Sequence, residues 1–211
     1  MSTNHSSAEL DGLYPFLSEV AEMRRRARQH IQAASVGAMA PDPAAVLQLL
    51  NEALATELVC VSRYRKHSTL AGGPWAEALR TEFLKYAREE QGHADQLAKR
   101  ISQLGGTPQL PSAPSDSMSP AGAEQELEAE ALVDLLEEDL IAERIAIDSY
   151  REIVQFLGSA DPPTGQLLEA ILALEVVHAQ ELAAMRSEVL RRDRLTGSTS
   201  TTLPRLELQS A

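Results

Sequence analysis

The chain has 211 residues, a formal net charge of −12 at pH 7, 4% aromatic residues and a single cysteine, Cys60. Such an acidic surface attracts cations and argues against nucleic acid as a partner, while one cysteine excludes an intrachain disulfide and favours an intracellular setting. Residues 1–13 lack a basic start followed by an apolar run, and no run of about 18 apolar residues follows, so neither a signal peptide nor a membrane span is expected and the chain reads as cytoplasmic.

Tyr14-Pro15-Phe16 opens a short helix reaching about Ala34, with Pro15 suited to a first turn. Leu17, Val20, Ala27 and Ile31 form a weak apolar stripe, and Arg24, Arg25, Arg26 and Arg28 make the other face a solvated or salt-bridged one. Gly37, Pro41 and Pro43 break the pattern, so residues 1–42 read as an N-terminal extension. A long helix then runs from Pro43, capped by Asp42, to about Leu70, with Val46, Leu49, Leu50, Leu54, Leu58 and Val61 on one face. Gly72-Gly73-Pro74 is a short turn, which makes the next helix, about Trp75 to Leu104, an antiparallel neighbour. Gly105-Gly106 ends it. Residues 105–122 carry four prolines and admit no helix, so they read as a strap along the length of a bundle. A third helix is expected from about Ala123 to Leu157 and a fourth from about Thr164 to Arg192. Residues 193–211 are Ser/Thr-rich and read as a flexible tail. The expected architecture is all-α: a four-helix bundle over residues 43–192 with one long crossover, an N-terminal helical extension and a C-terminal tail.

The chemistry lies in a repeat. The second helix carries Glu90-x-x-His93 and the fourth Glu175-x-x-His178, each continuing as His-Ala-x-x-Leu. Residues three apart share a helix face, so carboxylate and imidazole point the same way. The first and third helices match each other as well: Glu57 is followed by Tyr64-Arg65, and Glu143 by Tyr150-Arg151 at the same offsets. Glu57 precedes Glu90 by 33 positions and Glu143 precedes Glu175 by 32. Carboxylates at mid-helix among apolar neighbours are costly unless paired or metal-bound. Two divalent cations would balance four ionised Glu with both imidazoles neutral. One Glu from each of two helices and Glu-x-x-His from each of the others is the ligand pattern of di-iron carboxylate bundles. Oxygen and imidazole donors suit iron, with manganese as the alternative.

Around these six expected metal ligands, Asp139 lies one turn before Glu143, placed to accept the second N–H of a ligating histidine. Tyr64 and Tyr150, two turns beyond their Glu, are placed to hydrogen-bond ligands or to donate electrons. Cys60 reads as a small buried residue, and His30 and His67 as surface or hydrogen-bonded histidines.

From about Pro43 to Arg192 the sequence resembles the bacterioferritin branch of the ferritin-like superfamily. The resemblance is carried by Asn51-Glu52-x-x-x-x-Glu57-Leu58-Val59 with Tyr64, by Glu90-x-x-His93-Ala94-Asp95, by Asp139-x-x-x-Glu143 and by Glu175-x-x-His178. It implies an intrasubunit ferroxidase centre in which Glu90 and Glu175 bridge two irons, Glu57 and His93 complete one, and Glu143 and His178 the other. The implied reaction is oxidation of Fe²⁺ by dioxygen or hydrogen peroxide in a homo-oligomer, for iron storage or detoxification. Three departures stand out. Gln91 replaces the haem-ligating methionine of the family, so haem is not expected. Residues 193–211 do not resemble the family's short fifth helix, and residues 1–42 have no counterpart. Both bear on the shell and leave open whether 24 subunits or fewer assemble. Two other readings follow: a non-storage oxidase or rubrerythrin-like peroxidase in a small oligomer, and an interaction bundle whose metal is merely structural.

Overall fold

The computed structural model describes residues 15–34, 41–72, 76–110 and 129–197. It contains five helices: α1 (Pro15–Ala34), α2 (Pro43–Leu70), α3 (Ala76–Gln103), α4 (Ala129–Leu157) and α5 (Pro162–Gly197). Their ends follow local chemistry. Asp42 caps α2, accepting the Ala44 N–H at 3.2 Å, and Pro43 occupies the first turn where no N–H is needed. Gly105 ends α3 at φ 80°, and the Gly106 N–H returns to the Ile101 carbonyl at 3.0 Å. Asp161 caps α5 through the Thr164 N–H and also accepts from Arg100 at 2.9 Å, tying the end of α3 to the start of α5.

Two apolar clusters fill the bundle, one at each end. Leu49, Leu50 and Leu54 of α2 meet Leu97 and Ile101 of α3, Tyr150 and Ile153 of α4, and Leu168 and Ile171 of α5. At the other end Cys60 and Tyr64 of α2 meet Phe83 and Tyr86 of α3, Leu132 and Leu136 of α4, and Leu182 of α5. Early α2 thus meets late α3 and late α4, so α2 runs antiparallel to both. It follows that α3 ends and α4 begins at opposite ends of the bundle. With 28 residues in α3, the connection between them must travel about 40 Å. The expected start of the third helix at Ala123 and most of the strap fall outside the described residues.

Three features add to or depart from expectation. Within the N-terminal extension, Val20, Met23 and Ala27 of α1 are buried, and the helix lies along α2 and α4. Met23 completes the stripe that the sequence showed only weakly. The arginines of α1 pair across this contact, Arg24 with Asp148 and Glu152, Arg28 with Glu152, and Arg26 with Glu52. Secondly, α5 is helical past Arg192 as far as Gly197, the last described residue, and Arg191 and Arg192 both pair with Glu188 one turn back. Finally, α2 has an 18-residue window of mean hydropathy 1.5, long and apolar enough by composition to cross a bilayer. Half of that window is buried inside the bundle, and Glu57 sits within the helix.

Candidate metal centre

Between the two apolar clusters lies a polar layer. Glu57 of α2, Glu90 and His93 of α3, Glu143 of α4, and Glu175 and His178 of α5 are each no more than 2% exposed. Their donor atoms form two overlapping groups. Glu57, Glu90, His93 and Glu175 make one, and Glu90, Glu143, Glu175 and His178 the other, with the atoms of each group all within 4.8 Å. Glu90 and Glu175 belong to both. The six residues predicted as ligands are therefore brought together, with the shared pair where bridging groups would stand.

Both imidazoles turn Nδ1 inward. His93 Nδ1 is 3.3 Å from Glu57 and 3.4 Å from Glu90, and His178 Nδ1 is 3.1 Å from Glu90 and 3.6 Å from Glu175. Glu175 Oε1 is 2.9 Å from His93 Nδ1 but out of hydrogen-bond alignment, so this buried acceptor has no aligned donor. The tyrosines cross over: Tyr64 of α2 donates to Glu143 of α4, and Tyr150 of α4 donates to Glu57 of α2. Each phenol orients the carboxylate of the opposite helix.

The protein's own groups compensate the four buried acids with protons. Burial opposes charging His93, yet the close carboxylates of Glu175, Glu57 and Glu90 raise its pKa to about 12. His178, likewise buried, is raised to about 9 by its bond to Glu175 and the neighbouring carboxylates. Burial acts to raise Glu175, but the close imidazoles of His178 and His93 bring it down to about 2. Burial and the Glu175 charge push Glu90 and Glu143 well above the carboxylate range. Burial and the surrounding carboxylates raise both tyrosines, so they remain donors. Four carboxylates and two inward Nδ1 atoms that otherwise hold protons, plus one acceptor without a donor, fit two hard divalent cations.

Asp139 does not serve a ligating histidine. It accepts from His67 Nδ1 at 2.7 Å and from Arg63 at 3.3 Å, and Arg63 also pairs with Glu138. One turn from Glu143 along α4 points it at α2, where His67 and Arg63 stand, rather than across to α3 or α5. The outer nitrogen of His178 is held instead by Glu89, at 2.9 Å. Sequence reading missed Glu89, which nothing distinguishes from the other glutamates of α3 until α5 brings His178 beside it. It also missed Tyr86, whose ring lies 4.9 Å from that of His178 and whose hydroxyl donates to Glu181. Cys60 is buried, and burial followed by the nearby carboxylates raises its thiol pKa, so it stays protonated.

A ferritin-like domain matches residues 47–191. The chain belongs to the ferritin-like family. Within it, the sequence is similar to two bacterioferritins. One, from Rhodobacter capsulatus, is 29% identical over 66% of this chain and 81% of its own length. The other, from Brucella melitensis, is 34% identical over 63% and 77%. The DNA protection during starvation protein of Pyrococcus furiosus is 33% identical over 63% of this chain and 72% of its own. Among solved structures, the dodecameric thioferritin of Bacteroides fragilis, a bacterioferritin-related protein, shares 25% identity at TM-score 0.59, covering 84% of this chain and 99% of its own. The diiron bacterioferritin of Desulfovibrio desulfuricans shares 25% at TM-score 0.59, covering 71% and 82%. These likenesses place the chain in the bacterioferritin-like branch of ferritin-like di-iron bundles.

Proposed function

We propose that the chain is a ferroxidase that oxidises Fe²⁺ with dioxygen or hydrogen peroxide, in the service of iron storage or detoxification. The observation that carries this reading is the pair of interlocked donor groups sharing Glu90 and Glu175. Glu57 with His93, and Glu143 with His178, would hold one iron each, and the shared carboxylates would hold both. The paired irons supply the electrons that reduce the oxidant, one from each Fe²⁺ as it becomes Fe³⁺. The chain's own part is to position and to exclude water: apolar clusters close the site above and below, and Tyr64 and Tyr150 hold Glu143 and Glu57 at fixed angles. Protons on His93, His178, Glu90 and Glu143 leave as cations bind.

Haem is left out of this reading, since Gln91 stands at the family's methionine position and donates its amide to Asp95 at 3.0 Å. We place the protein in the cytoplasm as a homo-oligomer, by analogy with the dodecameric relative. Manganese in one position and a small-oligomer oxidase or peroxidase remain the second reading. The test is aerobic addition of Fe²⁺ to metal-depleted protein. Fast ferric absorbance, abolished in Glu57→Ala and Glu143→Ala variants that keep their helicity, supports a ferroxidase; slow absorbance equal to that of buffer refutes it. A native mass near that of a dimer after iron loading would remove the storage cage and leave the second reading.

A further inference from the structure

The repeat that builds the centre is imperfect at one position that matters for the histidines. When Nδ1 of an imidazole gives its lone pair to a metal, the ring proton must sit on Nε2, and that N–H needs an acceptor. His178 has one: its Nε2 is 2.9 Å from Glu89. His93 has none among the described residues: its Nε2 is buried without a partner there. The repeat explains the difference. Glu89 precedes Glu90 of the first motif, and the residue preceding Glu175 of the second is Leu174. The pseudo-twofold that exchanges the halves therefore puts a leucine where His93 would find its carboxylate. Leu174 is 45% exposed, so its side chain covers no core that a larger apolar group demands there.

We propose that the two metal positions are inequivalent, with the His178–Glu143 position binding a divalent cation more tightly than the His93–Glu57 position because Glu89 accepts from the outer nitrogen of His178 and, among the described residues, no acceptor meets the outer nitrogen of His93. This rests on the ferroxidase reading of the site, and it concerns order of filling rather than catalysis. Two features of the inner layer are matched across the halves: each histidine faces the shared carboxylates, and each terminal Glu accepts from the tyrosine of the opposite helix. Loss of an outer carboxylate behind a ligating histidine weakens metal affinity roughly 10–100-fold, so a difference of that size is expected between the positions.

The test uses Co²⁺ on metal-depleted full-length protein without oxidant, followed by calorimetry, with anomalous scattering from crystals grown at one equivalent per chain. The expected result is two binding steps separated by roughly 10–100-fold, with the first ion at His178. Glu89→Leu should weaken the tight step by the same factor and merge the two. Leu174→Glu, on the surface and tolerant of change, should instead strengthen the weak step towards the tight one. Circular dichroism and melting temperature of both variants are compared with the parent. The proposal is overturned if the first ion sits at His93 or divides evenly. It is equally overturned if Glu89→Leu weakens both steps alike, or if folded Leu174→Glu leaves the weak step unchanged. No cobalt binding at all would overturn the metal-centre reading itself, whereas two equal steps would overturn only the inequivalence.

Discussion

The α2–α3 half and the α4–α5 half carry the same Glu and Glu-x-x-His groups, 33 and 32 positions apart, yet the two ends of the bundle are built differently. At one end Tyr64 packs on Phe83 and Tyr86, and Arg63, His67, Glu138 and Asp139 form a buried polar network between α2 and α4. At the other end the repeat substitutes Leu168 and Ile171 for those aromatics, Ser149 for Arg63, Ile153 for His67, and Ala53 for Asp139. These residues are smaller or apolar, and they leave a shallow face between α2 and α4. Helix α1 covers it, laying Met23 and Ala27 over Ala53, Ala146 and Ser149. One correspondence survives in altered form: Glu138 pairs with Arg63 of its neighbouring helix, and its counterpart Glu52 pairs with Arg26 of α1. The ligand layer is constrained by charge balance and so stays symmetric, whereas the seal between α2 and α4 needs only to exclude water, and an internal side chain or an added helix will do it.

The largest effects should come from the layer both halves share. Glu175→Ala removes a donor common to both positions and is expected to abolish binding of both cobalt ions, while Glu57→Ala should cost only the ion beside His93. Metal analysis after gel filtration decides, and equal losses in the two variants would deny Glu175 a shared role. Next in size is the buried network. Asp139→Ala takes the buried acceptor from His67 and leaves Arg63 with Glu138, and breaking such a buried network costs about 3–5 kcal/mol. Urea unfolding of metal-depleted protein measures it. A cost below 1 kcal/mol would show that this end is held by its aromatics alone.

The contrast between the ends also shows what a sequence makes legible. The six residues of the polar layer and the helix pairs could be read because charge, period and repeat all demanded them: a mid-helix Glu such as Glu57 is conspicuous among leucines. Asp139 was read as a partner of a ligating histidine and proved to serve His67, because spacing along one helix does not say which neighbouring helix a face meets. Glu89 was hidden for the same reason, being one of many glutamates until α5 brings His178 beside it. The docking of α1 was obscured by its short stripe, in which Met23 is a contact no period signals strongly.

Proton affinities give a prediction of intermediate size that separates protein charge from metal charge. His178 rises from the usual 6.5 to about 9 on folding, so it contributes stability that is complete below pH 6.5 and is lost as pH rises through 9. A shift of that size corresponds to about 3 kcal/mol. Glu90 and Glu143, also raised, act in the same direction. Metal-depleted protein should therefore melt progressively lower between pH 6.5 and 9.5, and Co²⁺-loaded protein, whose imidazoles are already deprotonated, should not (melting followed by calorimetry). Parallel curves would mean that protons do not compensate the buried acids.

The smallest effect tests whether the two seals are energetically alike. Arg26 and Glu52 are 43% and 19% exposed in their side chains, Arg63 and Glu138 only 12% and 8%. A pair open to water gains little over its hydration, so Arg26→Ala should cost about 0.5 kcal/mol and the cost should fade at roughly molar salt. Arg63→Ala, which leaves Glu138 and Asp139 facing each other without a cation, should cost about 3 kcal/mol or more and respond weakly to salt. If Arg26→Ala were as damaging as Arg63→Ala, α1 would have to be held mainly by its arginines. The burial of Val20, Met23 and Ala27 argues instead that its apolar stripe does most of the holding, and that the arginines set where along α2 and α4 the helix comes to rest.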